Sequence, residues 1–225
     1  MKQLLMMILL AGWSAQVSAQ SGPVADYLFD GNLNSSVIGA PALSALAAGQ
    51  SFATETVQGQ SDQVLLFPAG AGLLLNATGL LTRNDEYTIV LTVRLDNFIG
   101  FRKLIDFSGG VQDPGLYVQG STLRLYPYAG SQTAPITTLY YQIALVRESN
   151  GTARAYVDGA EMFRLNDTSF AVAVLDNANT FRLLADDTQS AGFEQSSGAI
   201  ARLTLYNRAL TGELPMVTIF RDTFE

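Results

Sequence analysis

No cysteine and no histidine occur among the 225 residues. Without cysteine the chain forms no disulfide, presents no thiolate nucleophile and holds no thiolate-bound zinc. Without histidine it lacks the usual general base of neutral pH and the commonest metal-ligating side chain. A Ser-His-Asp triad and an ordinary zinc hydrolase site are therefore both excluded. Basic residues are also scarce: 13 Lys and Arg stand against 20 Asp and Glu, for a net charge of −7. They form no cluster, so nucleic acid and anionic membrane surfaces, which are gripped through Lys and Arg, are not expected partners.

Long apolar runs are missing too. The clearest one, Leu4 to Trp13, follows Lys2 and precedes Val17-Ser18-Ala19. A positive start, a short apolar stretch and small residues at the cleavage positions make a secretory signal peptide over residues 1–19, cut between Ala19 and Gln20. The run is too short for a bilayer, which needs about 20 residues. No later segment is apolar enough either, so no membrane span is expected. The expected location is secreted or periplasmic. Export without disulfides points to a bacterial chain, in which the Asn-x-Ser/Thr sequences at Asn34, Asn76, Asn150 and Asn166 are incidental.

What remains reads as β-structure nearly throughout. Tyr87, Ile89, Leu91, Val93 and Leu95 share one face of a strand whose other face carries Thr88, Thr92 and Arg94, with Val90 as the exception. Leu116 and Val118 alternate with Tyr117 and Gln119, and Leu123 and Leu125 with Arg124 and Tyr126. Ala201, Leu203 and Leu205 alternate with Arg202, Thr204 and Tyr206. A period of two over short runs means strands with one buried face. Asp158-Gly159 between two such runs supplies the positive φ angles of a type I′ hairpin. Some twelve to fifteen short strands are expected. A single helical turn near Thr211–Leu214, capped by Thr211, is the best helix candidate. No linker or repeat divides the chain, so one domain is expected over 20–212, followed by a separate tail at 213–225.

Five segments together resemble the laminin-G-like, concanavalin A-like lectin/glucanase domains. They are Asp26-Tyr-Leu-Phe-Asp-Gly-Asn32, Tyr87 to Arg94, Tyr141 to Arg147, Ala155-Tyr-Val-Asp-Gly159, and Gly198 to Leu210 with its Leu205-Tyr-Asn-Arg-Ala-Leu210 ending. Each is weak alone; their order and spacing are specific, and they cover roughly residues 24–212. The resemblance implies an all-β jelly-roll sandwich of two antiparallel sheets, with the first and last strands side by side. The chain departs from the pattern at Tyr141, where the family carries Trp, and at Ala201-Arg202, where it carries an acidic pair.

The family includes glycoside hydrolases, which need two carboxyl groups about 5–5.5 Å apart when they retain configuration. The Glu-x-Asp-x-x-Glu run of the β-glucanases is absent, and the adjacent Asp85 and Glu86 would point to opposite faces of a strand. No enzyme activity is expected. Calcium is one candidate cofactor. If the first strand runs antiparallel to the last, Asp30 and Asn32 would approach the Asp186–Ser197 loop with Asp186, Asp187 and Glu194, offering the oxygens a calcium ion needs. The competing reading, which is favoured, is that Asp30-Gly31-Asn32 is a turn held by Asx hydrogen bonding. For sugars, an exposed aromatic platform with polar neighbours is required. Tyr117, Arg124 and Tyr126 would face outward across one hairpin, unless they form only a cross-strand cover on the sheet. The expected function is a secreted, non-catalytic recognition module for polysaccharide or an extracellular protein. A matrix-associated structural protein without a small ligand, and a carbohydrate-active enzyme with dispersed acids, are the alternatives.

Overall fold

A computed structural model describes residues 22–128, 137–190 and 192–211. The expected leader, the tail at 213–225 and residues 212–214 of the expected helical turn lie outside the described residues. Fourteen strands follow in chain order: Ala25–Tyr27 (β1), Ser44–Ala45 (β2), Ser51–Val57 (β3), Gln60–Phe67 (β4), Leu73–Asn76 (β5), Tyr87–Leu95 (β6) and Phe101–Asp106 (β7), then Gly115–Gln119 (β8), Thr122–Tyr126 (β9), Tyr141–Arg147 (β10), Thr152–Val157 (β11), Ala160–Asn166 (β12), Thr180–Leu183 (β13) and Gly198–Tyr206 (β14). They make two antiparallel sheets. One runs β12-β11-β10-β6-β14-β4-β3, with β1 also on β14; the other runs β2-β5-β13-β7-β8-β9. Among the described residues no helix is long and apolar enough to cross a membrane.

The alternation in the sequence becomes the core. Tyr87, Ile89, Leu91, Val93 and Leu95 of β6 meet Leu116, Val118, Leu123 and Leu125 of β8 and β9 in one apolar cluster between the sheets. Full burial of each such aliphatic side chain is worth roughly 1.5–3 kcal/mol relative to exposure, so the face pattern decides the fold. Val90, the exception, packs on the outer face with Ala144 and Tyr206. The last strand differs from the simple alternation. A bulge between Ile200 and Arg202 shifts its register. Ile200, Leu203 and Leu205 therefore enter the core, while Ala201 turns outward to join Val57, Val64 and Ala199. An extra residue in one strand exchanges its faces beyond the bulge, and the sequence carries no mark of this one.

Two hairpins have positive φ at both central residues. Asp158 and Gly159 have φ of 47° and 81°, and Gln58 and Gly59 have 49° and 86°. The first is the turn expected from its Asp-Gly; the second does the same work with Gln. Three of the four Asn-x-Thr/Ser sequences also serve the backbone. The side-chain oxygens of Asn76, Asn150 and Asn166 accept the amide N–H of Thr78, Thr152 and Thr168, which is the Asx turn.

The first and last strands do lie side by side, with Asp26 opposite Thr204. The departure at Arg202 has a local reason. Its guanidinium donates Nε and a terminal N–H to the two oxygens of Asp26, each at 2.9 Å. The Thr204 hydroxyl donates to the same carboxylate at 2.9 Å. A planar fork on a carboxylate is a geometry the family's acidic residue at that position would not supply.

Candidate functional site

The outer face of the six-stranded sheet carries the polar and aromatic residues that β7, β8 and β9 do not send to the core. Tyr117 of β8 lies opposite Arg124 of β9 and Lys103 of β7. Phe101, Tyr117 and Tyr126 form a triangle of edge-on rings, with centroids 5.7, 6.0 and 6.2 Å apart. The Arg124 guanidinium sits 5.8 Å from the centre of the Phe101 ring. Such stacking orients a cation without using its N–H groups. Among the described residues, Arg124 Nε has no hydrogen-bond partner.

Tyr117, Arg124 and Tyr126 thus share a face, as their alternation requires, but not equally. Tyr117 is only 1% exposed. The expectation that it stands open to a ligand is corrected, because Asp113 from the loop before β8 and Glu194 from the loop before β14 lie against it. Its hydroxyl donates to the Asp113 backbone oxygen at 2.6 Å and to Asp113 Oδ1 at 3.0 Å. Burial and then the nearby charges of Glu194 and Asp113 push its ionisation far up, so it remains a neutral donor. Tyr126 and Arg124 stay half-buried and reachable.

Beside Tyr117 lies a wholly enclosed cation. The Lys103 side chain is 0% exposed, as are those of Asp106 and Asp187. Its ammonium binds Asp187 and Asp106, the latter at 3.3 Å, and also the Gln112 carbonyl at 3.3 Å. It stands 5.2 Å from the centre of the Tyr117 ring. Burial alone would raise the Asp187 carboxyl, but hydrogen bonds from Lys103 and from the Ser190 and Gln189 amides outweigh it and hold the group low. Asp186 organises the same loop, accepting the Ser190 hydroxyl at 2.6 Å and the Glu194 amide at 3.1 Å. Glu194 is pushed above the ordinary carboxylate range. Burial is the main cause, with Asp113 and Asp186 adding to it and the Tyr117 hydroxyl and Lys103 opposing.

Of the residues considered for calcium, the structure brings Asp186, Asp187 and Glu194 into one loop and leaves Asp30 and Asn32 out. Oxygens of Asp113, Asp187 and Glu194 lie within 4.8 Å of one another, and neither Asp30 nor Asn32 belongs to this group. Strand β4 takes over pairing with β14 at Ile200, where β1 would otherwise have continued. The chain turns away at Phe29, which has φ of 55°. Asp30 and Asn32 instead line a separate cavity of about 240 Å³ with Asn34, Ser35 and Ser36. There Asn32 donates to the Asp30 carbonyl at 3.0 Å and accepts the Asn34 amide at 2.8 Å, which is the favoured turn. The Asp113–Asp187–Glu194 group does not fit calcium either. One Asp187 oxygen is on Lys103 and the other accepts the Gln189 and Ser190 amides, so it has little left for a shell of six to eight oxygens. Lys103 already supplies the compensating charge.

Phe101, Lys103, Asp113 and Phe193 were not singled out by sequence reasoning. Lys103 had a signal, a lone cation in the otherwise strand-like Phe101-Arg-Lys-Leu-Ile-Asp106. Phe193 had one too: an aromatic alone in a polar loop, here 84% exposed. Its carbonyl accepts an N–H of Arg102 at 2.9 Å, and the same guanidinium nitrogen bonds the Phe101 carbonyl at 2.7 Å. These bonds hold the Phe193 backbone beside β7, with its ring in solvent.

The family model of the concanavalin A-like lectin/glucanases superfamily (Laminin_G_3) matches residues 67–213. The chain belongs to that superfamily. Its fold is shared with domain 4 of an extracellular arabinanase from Geobacillus stearothermophilus, solved with arabinotriose. That similarity has a TM-score of 0.62 at 19% identity and covers 84% of this chain and 94% of that one. The CBM40 domain of the Ruminococcus gnavus IT-sialidase, bound to α2,3-sialyllactose, matches with a TM-score of 0.51 at 17% identity, covering 66% and 91%. The binding domain of Paraclostridial Mosquitocidal Protein 1 matches at 0.56 and 9% identity, covering 84% and 50%. No curated protein sequence matches the chain. At these identities the concanavalin A-like likeness is one of fold.

Proposed function

We propose that this protein is an exported carbohydrate-binding module that holds saccharide on the outer face of the six-stranded sheet, without cleaving it. The observation that carries the reading is the Arg124 guanidinium, stacked on Phe101 beside the half-open Tyr126 ring. Its Nε is buried without a partner among the described residues, so a ligand would be met by the terminal N–H groups. A sugar presents C–H faces and hydroxyls. Ring edges and faces meet the first, and guanidinium N–H groups donate to the second. Phe193 beside β7 adds exposed apolar surface. The sugar-bound domains of the same fold support the ligand class, and the amino-terminal leader pattern supports export.

A glycan array probed with the mature chain tests this, followed by titration calorimetry on any hit. Arg124→Ala and Tyr126→Ala should each weaken binding by about tenfold or more, with the melting temperature held. An array with no hit in any glycan class removes the reading.

One observation favours a second reading. Glu194, with its carboxyl raised above the ordinary carboxylate range by burial, shares a small cluster with Asp113. That is the composition of a glycosidase pair, in which Glu194 would protonate the leaving group. The binding reading is preferred because Asp113 already accepts the Tyr117 hydroxyl and Asp187 is saturated by the protein.

A further inference from the structure

A different cavity opens where the loop before β6 meets the loop before β13. It measures about 390 Å³ and is walled by Thr82, Arg83, Asp85, Asp176, Asn177 and Asn179. That volume lies within the roughly 300–1,000 Å³ of small-molecule sites. It has no residue in common with the Phe101–Arg124–Tyr126 face.

The cavity is preformed by hydrogen bonds that leave several of its side chains unused. Asn84 ties the two loops together, donating its amide to the Leu175 carbonyl at 2.9 Å while its own carbonyl accepts the Leu175 N–H at 3.0 Å. The Asp176 amide is held by the Phe107 carbonyl at 3.0 Å, and the Asn179 amide by the Asp176 carbonyl at 3.0 Å. Arg83 grips Asp85 with two parallel bonds of 2.8 and 2.9 Å. The pair neutralises itself and leaves three further guanidinium N–H donors. Among the described residues, no hydrogen bond is made by the carboxamides of Asn177 or Asn179. Asn179 is half-buried with φ of 50°, a conformation Asn tolerates better than most residues.

These groups fix the chemistry of an occupant. Each carboxamide offers a donor and an acceptor side by side, which matches a hydroxyl that both gives and takes a hydrogen bond. With Arg83 and Asp85 paired, Asp176 leaves the cavity slightly negative, which disfavours anions. Leu81 is its one apolar side chain, so an aromatic ligand would find little to pack on. We propose that this cavity is a second saccharide site, taking one neutral sugar unit through vicinal hydroxyls held by Asn177, Asn179 and Arg83. For its ligand class the proposal rests on the carbohydrate-binding reading; for its location it does not.

NMR of the backbone and side-chain N–H groups of the mature chain tests it, with arabinotriose and cellotriose as neutral probes and 3′-sialyllactose as the anionic one, all at millimolar concentration. The Asn177 and Asn179 NH2 resonances should shift with a neutral trisaccharide and less with the sialylated one. The paired change Asn177→Ala with Asn179→Gly, in which glycine keeps the positive φ, removes those two reporters, so its response is read from the Ala178 backbone N–H and the Arg83 Nε–H, and it should weaken by about tenfold. Arg124→Ala should leave it intact. Resonances unmoved by both neutral probes overturn the proposal, as does a stronger response to the sialylated probe or an unchanged response in the paired variant. Shifts confined to Tyr126 and Phe193 would remove this second site while leaving the sheet-face reading standing. Shifts confined to Asn177 and Asn179 would do the reverse.

Discussion

The ammonium of Lys103 and the carboxylate of Asp187 are joined in a contact from which water is excluded, each side chain fully buried. Through this pair β7 holds the loop that carries Asp186, Asp187 and Glu194. Removing one member of a buried pair leaves the other charge uncompensated, which costs about 3–5 kcal/mol. Lys103→Met should therefore lower stability by about that much in urea unfolding. Asp187→Asn added to Lys103→Met should cost less than the sum of the two single changes, because the partner left unpaired is then neutral. Strict additivity in the double-mutant cycle would show that the two groups do not interact.

Glu194 and Asp187 lie in one loop and respond to pH in opposite senses. Glu194 has a folded pKa above its unfolded one, so the fold disfavours its charged form. That penalty is absent where both states are protonated and appears as pH rises through the carboxylate range. Glu194→Gln should raise the melting temperature at about pH 7 and leave it unchanged at about pH 3. Asp187 has a depressed folded pKa. It stabilises above the unfolded value and loses that contribution as pH falls through the folded one, so Asp187→Asn should cost most at neutral pH. Thermal melts across this range check both signs. A Glu194→Gln variant less stable than the parent at neutral pH would show that the carboxylate is a favourable partner there.

The clasp between the first and last strands predicts a third outcome. Asp26 accepts two N–H bonds from Arg202 and one hydroxyl from Thr204. Removing the carboxylate takes away the acceptor that the part-buried guanidinium and the buried Thr204 hydroxyl share. Asp26→Ala should cost about 2 kcal/mol, since hydrogen bonds to charged groups contribute about 1.5–3 kcal/mol each before water replaces part of the loss. Amide exchange should speed up in β1 and at Leu203–Leu205 before it does so in β6. Uniform loss of protection in all strands would place the effect elsewhere.

Gly198 opens the last strand, and its place there is steric. A Cβ at this position would overlap the Arg94 carbonyl oxygen and press on the Phe67 ring. Both belong to strands paired with Gly198 on either side. Gly198→Ala should destabilise by about 1–3 kcal/mol, the usual range for overpacking, measured by urea unfolding. A neutral result would mean that β14 shifts freely against β4.

The sandwich was legible because burial acts on side chains one strand at a time. Tyr87, Ile89, Leu91, Val93 and Leu95 need only alternate to declare a buried face, and Asp158-Gly159 only to tolerate positive φ. What was not legible depended on distances along the chain. Ala201 faces outward because a bulge intervenes, and a bulge leaves no trace in residue type. Tyr117 alternates onto the outer face as expected, yet its exposure is set by loops some distance away in sequence. Lys103 meets Asp187 across 84 positions, and no periodicity links them. Asp30 and Asn32 were drawn toward the Asp186 loop by assuming that β1 continues along β14, whereas Phe29 turns and β4 takes its place.

Whether the protein would cleave a saccharide bound as proposed turns on Asp113 and Glu194. A retaining glycosidase sets its carboxyl groups about 5–5.5 Å apart on either side of the scissile bond, one free to attack. Here Asp113 accepts the buried Tyr117 hydroxyl, and the loop bearing Glu194 is fastened through Asp186 and Asp187. The purified protein is expected to release no reducing ends from any polysaccharide it binds, and Glu194→Gln to bind that polysaccharide as the parent does. Reducing-end release that disappears in Glu194→Gln, with binding retained, would make Glu194 a proton donor and the protein an enzyme.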